Sequence, residues 1–469
     1  MDAHGLFSGR WPRQGVNTQL IEAALQTEIE KNHTWGESTI LGFPSMNPHP
    51  FGIQIFSSVQ AKHANAILTH TRGDGEKGFK GTHNIEKALI HTVGDLLGDH
   101  TVDGYVTPGG TEANIMGIWI GREKLRAEFG NTGQRVAVLA SSASHYSLPK
   151  ACALTDMGRG ELRATGQFQD QKSGNGSLLN NHHVPNSDGS GLHYIRCSEC
   201  GRIDVAELER AIRRLHAEQH IARFIIFLNE GTTMTGAMDD TAAVGRMVRR
   251  LREEFQHTVG FYVHVDAAYG GCIYPFLDPD GTWAFRVPEV DSLTVDPYKM
   301  GYCPMAEGLF LCRSGLQRFI QQPTGYVNDG HDDTLCGSRS AAYAASCWAV
   351  IHALGTEGYQ RLHTQNREKA RQLYQKLAAV PAITLLPQYL NMVAFRLPDD
   401  VPQEAYDRLR AIVDEYICMW NWFNPDPSDP KSRPYQVIKC CMTQDVKEEW
   451  LDAFVQDLTD TFVQLQTHV

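Results

Sequence analysis

No apolar run in the 469 residues reaches the roughly 18 that a membrane crossing needs, and the amino terminus has no signal-peptide apolar region. Basic residues are outnumbered, 43 to 54, for a net charge of −11, so no broad positive surface exists to recruit nucleic acid or anionic lipid. The 11 cysteines are scattered and odd in number, which suits reduced thiols better than a disulfide framework. Two phosphate-binding signatures are also absent: no Gly-x-x-x-x-Gly-Lys-Ser/Thr loop occurs, and no Gly-x-Gly-x-x-Gly fingerprint opens the chain. These absences lead to the expectation of a cytoplasmic, soluble chain, with ample length for a large core, and agree with a soluble enzyme.

What the chain does have is a lysine and an aspartate at telling places. Asp266 closes the apolar run Phe261-Tyr-Val-His-Val265, and Lys299 follows the next such run, 292–295. Alone, each has an ordinary reading, a helix cap for the aspartate and a solvated turn residue for the lysine. Together they are what pyridoxal 5'-phosphate (PLP) requires: an amine to bond the cofactor aldehyde, and a carboxylate to keep the pyridine nitrogen protonated.

Two upstream motifs strengthen the pairing. In Tyr105-Val-Thr-Pro-Gly-Gly-Thr-Glu-Ala-Asn114 a short strand runs into Gly109, Gly110 and Thr111 and then into a helix-forming stretch. Glycines let backbone N–H groups approach an anion, Thr111 adds a hydroxyl, and the helix points its positive end at a phosphate. After the strand 135–139, Ser141-Ser-Ala-Ser-His-Tyr-Ser147 places His145 to stack on a pyridine ring, with Ser147 near the phosphate. A histidine after a strand is otherwise a structural hydrogen-bonding residue.

Apolar runs at 135–139, 223–228, 260–265, 292–295 and 308–312 alternate with amphipathic stretches, which predicts an α/β fold with a mostly parallel sheet covered by helices. The reading divides the chain into an N-terminal arm (1–55) poor in regular periodicity, a large cofactor-binding domain (56–335) and a small C-terminal α+β domain (336–469). A helix is expected at 85–98 and a polar surface loop at 164–192. Cys197 and Cys200, with His182, His183 and His193 nearby, form a single Cys-x-x-Cys without a second pair, so no metal is assigned there.

In the strings Asp296-Pro-Tyr-Lys-Met-Gly-Tyr302, His145-Tyr-Ser147, His264-Val-Asp-Ala-Ala268 and Gly337-Ser-Arg-Ser340, the sequence resembles the group II PLP-dependent amino acid decarboxylases. The likeness is strongest to the archaeal tyrosine/aspartate decarboxylase and bacterial tyrosine decarboxylase branch, and sphingosine-phosphate lyases share part of the pattern. The resemblance implies the PLP-dependent transferase fold (aspartate-aminotransferase-like, fold type I) and a homodimer with shared active sites. It implies decarboxylation of an L-amino acid to an amine and carbon dioxide, with tyrosine favoured and aspartate or glutamate next. The alternatives are a carbon–carbon lyase or a PLP-binding pseudoenzyme.

By the same resemblance Lys299 is the cofactor lysine, Asp266 the pyridinium partner, His145 the stacking residue and Ala268 the contact on the opposite face. Thr232 or Thr233 lies near the cofactor's phenolic oxygen, Gly110, Thr111 and Ser147 hold the phosphate, and Gly337 and Ser338 complete the partner subunit's site. Tyr326, on a loop reaching the neighbouring site, becomes the proton donor, and His49 of the arm lies near substrate. Tyr298 departs from the family, which has histidine before the lysine; a phenol can donate or stack but supplies no cation. The C-terminal strand region offers Lys439 and Arg433 where relatives place a carboxylate-binding arginine.

Overall fold

The computed structural model describes residues 14–466 apart from 69–70, 72–75, 130–134, 158–161, 165–180, 184–185, 187, 327–329, 381, 400 and 430. Seven strands make the central sheet: β1 (Asp103–Thr107), β2 (Ala137–Ser141), β3 (Gly191–Ile195), β4 (Arg223–Asn229), β5 (Gly260–Asp266), β6 (Val290–Val295) and β7 (Gly308–Cys312). Their spatial order is β1-β7-β6-β5-β4-β2-β3, and β7 alone runs antiparallel to its neighbours.

The continuous apolar runs follow from burial on both faces. Along β4, Phe224, Ile226 and Leu228 enter one core cluster, while Ile225 and Phe227 enter the cluster on the opposite face. All seven residues of β4 and of β5 are buried.

A second sheet, of β8 (Thr384–Leu385), β9 (Met392–Arg396), β10 (Met419–Phe423) and β11 (Tyr435–Cys441), is antiparallel in the order β8-β9-β11-β10. The helix Ala341–Leu377 links the two units. Its first half gives Ala344, Cys347 and Val350 to the central core, and its last turns give Ala370, Leu373 and Leu377 to the C-terminal core. Between the halves, Gly355 breaks the helical geometry with φ 58° and ψ −177°.

The arm, poor in regular periodicity, holds the helix Thr18–Ile29, whose N-cap Asn17 accepts a bond from the Gln19 amide. The short strand Asn65–Ile67 pairs with Ser338–Ser340, so backbone pairing crosses the boundary expected at 336. The helix expected at 85–98 spans Lys80–Leu96. Most of the 164–192 loop lies outside the described residues, and within it Asn181–His183 pairs antiparallel with Leu162–Ala164 just before. Among the described residues no helix is long and apolar enough to cross a membrane.

Candidate active site

The carboxyl ends of β1, β2, β4, β5 and β6 face one edge of the sheet, the place where open α/β sheets hold ligands. A cavity of about 610 Å³ lies there, and Gly109, Gly110, Thr111, His145, Thr232, Thr233, Asp266, Ala268, Tyr298 and Lys299 all line it.

Lys299 stands on the short helical turn Pro297–Met300 that follows β6, where proline sits at the first helical position. Its Nζ lies 3.1 Å from Asp296 Oδ2. Burial by itself would lower the amine's pKa, but Asp296, Tyr298 and Asp266 outweigh it and raise it. The Asp296 carboxyl is pushed up to about 6, chiefly by burial and against the pull of Lys299.

Asp266 ends β5 and is held at both oxygens. Oδ2 accepts from Asn114 Nδ2 at 2.8 Å, and Oδ1 accepts from the Ala268 amide at 3.1 Å. Asn114 is the hub of a buried network. Its amide also donates to Ser147 Oγ at 2.8 Å, while its Oδ1 accepts from Thr294 Oγ1 at 2.7 Å and faces His264 Nε2 at 3.0 Å. Because that oxygen can only accept, His264 carries its proton on Nε2 and its Nδ1 accepts from Ser292 Oγ at 2.7 Å. Burial takes the His264 pKa down to about 4, so the ring is neutral.

His145 reaches the cavity from the loop after β2. Its Nδ1 faces Ser147 Oγ at 2.9 Å, and Ser147 is fully buried behind it and outside the cavity lining. Burial lowers the imidazole pKa, with Asp266 opposing and Lys299 and Lys150 assisting.

Gly109 adopts φ +149°, and a β-carbon on Gly110 would lie 2.8 Å from Asp296 Oδ2, so both positions need glycine. Gly110 opens the helix Gly110–Phe129, which aims its amino end at the cavity edge.

Besides Ser147, four expected residues are not brought to this cavity. His49 caps the helix Pro50–Gln60, its Nδ1 accepting from the Phe51 amide at 3.2 Å; Phe43, Pro44 and Ser45 of the arm line the cavity instead. Tyr326 is 88% exposed. Gly337 accepts from the Leu68 amide, and Ser338 opens the strand paired with Asn65–Ile67. Cys197 and Cys200 face Pro425 and Tyr389, and the described histidine His193 bonds Gly189.

Motif reading missed Asn114, Asp296, Asn229 and the apolar lining residues Ile115, Met305, Leu335, Met392 and Met419. Asn114 and Asp296 stood inside the quoted strings, three and two positions from assigned residues. The methionines carry no local signal.

A family profile described as "Pyridoxal-dependent decarboxylase conserved domain" matches residues 184–398, which include Asp266 and Lys299. Over that stretch the chain carries the pyridoxal-dependent decarboxylase domain. It is 26% identical over 458 residues to a protein of Methanothrix thermoacetophila named "Probable L-tyrosine/L-aspartate decarboxylase", covering 97% of this chain and 98% of that protein. A tryptophan decarboxylase of Clostridium sporogenes is 26% identical, over 85% of this chain and 83% of that one. The glutamate decarboxylase of Lactobacillus brevis superposes with a TM-score of 0.74 at 17% identity, over 97% of this chain and 94% of that one, and so shares its fold.

This decarboxylase uses PLP, and its cavity residues fit that cofactor. An amine lies in the cavity, an anchored carboxylate closes one strand, and a glycine-rich helix start offers a phosphate cup. Two acidic groups lie near the cup: Asp296, whose charge is offset by Lys299 and by its raised pKa, and Glu112, whose Oε1 accepts from the Tyr105 hydroxyl at 2.8 Å.

Proposed function

We propose that the amino acid decarboxylated here is aromatic, tyrosine first, with aspartate or glutamate next. One observation carries the preference: among the described cavity-lining residues Lys299 is the sole lysine or arginine, and it already faces Asp296. A dicarboxylic substrate would leave its side-chain carboxylate without a cation, a costly arrangement in a half-dry pocket. Phe43, Tyr146, Met305, Leu335, Met392 and Met419 instead offer apolar and aromatic surface. Lys439 is buried on β11 and does not line the cavity. A second phosphate, as a phosphorylated lyase substrate carries, would likewise lack a cationic partner.

The residues that would hold the cofactor are Lys299 at its aldehyde, Asp266 at its ring nitrogen, His145 and Ala268 on its two faces, and Gly109, Gly110 and Thr111 at its phosphate. Thr232 or Thr233 would lie at its phenolic oxygen, with Tyr298 beside the lysine. When bound, PLP supplies the electron sink that makes loss of the substrate carboxylate possible. Asp266 would keep a proton on the ring nitrogen, and Asn114 fixes the carboxylate for that task. His145, held neutral by burial, would stack without adding a competing positive charge. Apolar residues at the cavity mouth would exclude water from the reacting carbon. A homodimer in the cytoplasm completes the reading: Tyr326, Gly337 and Ser338 would serve the partner subunit's cavity, with Tyr326 returning the proton to carbon.

A carbon dioxide release assay over the twenty amino acids, with amine products identified, tests the proposal. Tyrosine should lead, Lys299→Ala should be silent, and Tyr326→Phe should be slowed or diverted to another product. A preference for aspartate or glutamate would overturn the aromatic assignment. Unchanged product formation by the phenylalanine variant would remove Tyr326 from proton return.

A further inference from the structure

Beneath the Lys299 turn, outside the cavity lining, Cys303, Glu307 and Cys347 come together. Cys303 lies four positions past Lys299, Glu307 immediately precedes β7, and Cys347 stands on the first half of the helix Ala341–Leu377. All three are buried, and one ligand atom from each lies within 4.8 Å of the others. Glu307 is 0% exposed, and neither carboxylate oxygen has an N–H or O–H donor; the group facing it is the Cys347 thiol. A carboxyl group removed from water in this way is unfavourable unless something compensates it. Cys272 is the next thiol around the same space, close enough that both Cys303 and Glu307 act on it electrostatically.

We propose that Cys303, Glu307 and Cys347 form a structural zinc site, with Cys272 as the fourth donor. Thiolate and carboxylate ligands together suit Zn²⁺, and tetrahedral bonds of about 2.0–2.3 Å put ligand atoms roughly 3.5–3.8 Å apart. The ligand atoms of Cys303, Glu307 and Cys347 lie within 4.8 Å of one another, about 1 Å beyond that spacing at most. Binding replaces each S–H or O–H bond with a bond to zinc and releases those protons to solvent, with no change of oxidation state. The ion would tie the turn carrying Lys299 and the entry to β7 to the long linking helix, so its role is positioning and not catalysis.

The test uses the full-length protein from zinc-supplemented cultures, with metal content read by mass spectrometry. About one zinc per chain is expected. Glu307→Gln and Cys347→Ser should bind it at least about tenfold more weakly, whereas Cys152→Ser, a buried cysteine elsewhere, should retain it. A second measurement needs no variant: chelation should lower the wild-type Tm, and added zinc should restore it. Zinc-free wild-type protein, or variants that hold as much zinc as the parent, would overturn the site; neither readout depends on turnover.

Discussion

Asn114 shows how much of this site rests on a side chain that no motif assigned. It fixes Asp266 and Ser147 with its amide nitrogen while its oxygen serves Thr294 and His264, all of them buried. Asn114→Ala would strand several of these groups at about 1–3 kcal/mol for each one left unsatisfied. Lower Tm and a kcat reduced about tenfold or more are expected, measured by thermal melting and carbon dioxide release; a variant with parental kcat would remove Asn114 from the positioning of Asp266. The sequence showed this residue only as part of a helix-forming stretch. Its key partner lies 152 positions away, and such a distance is closed by the fold, not by local spacing.

The helix Gly110–Phe129 carries glycines in its interior, against helix propensity. Packing explains them. A β-carbon at Gly117 would lie 2.3 Å from His264 Nδ1, and one at Gly121 would lie 2.7 Å from the Tyr262 ring, so the helix can rest on β5 only without side chains there. Gly117→Ala is therefore expected to destabilise the protein by about 1–3 kcal/mol, because His264 is pinned and cannot yield. Denaturant unfolding measures it, and a stabilised variant would contradict this account. Six of the seven strands of the central sheet were legible in the sequence to within a few residues, and β3, which borders the 164–192 loop, was not. The arm helix Thr18–Ile29 was not, since it buries only Ala24 and so carries little of the periodicity that burial imposes.

Burial also shapes the pH response of the whole molecule. The pKa of His264 falls to about 4 and that of His363 to about 3, both through desolvation, while an unfolded histidine titrates near 6.5. Above pH 6.5 neither state takes a proton. As pH falls below it, the unfolded chain binds protons that the folded rings refuse, and stability drops by about 1.4 kcal/mol per pH unit per histidine. Asp239 and Asp296, raised to about 6 mainly by burial, act in the opposite sense: their contribution is full below about pH 3.8 and is lost as pH rises to about 6. The decisive comparison is therefore between wild type and His363→Phe, whose new ring can stack on Phe276 and Tyr359. Relative to this variant, wild type should lose stability steadily from pH 6.5 to 4.5 in denaturant titrations, and a constant difference would refute it.

Sequence alone settled the order of chemical groups along the chain: cup, imidazole, carboxylate and amine, each after an apolar run. It could do so because a parallel sheet delivers successive strand ends to one edge, which makes spacing a proxy for proximity. Only the tertiary structure decided the rest. Which groups anchor Asp266, that Phe43, Pro44 and Ser45 reach the cavity where His49 does not, and that the described lining offers no second lysine or arginine all depend on packing between distant segments. Those contacts are set by side-chain volume and burial in three dimensions, and linear order carries no record of them.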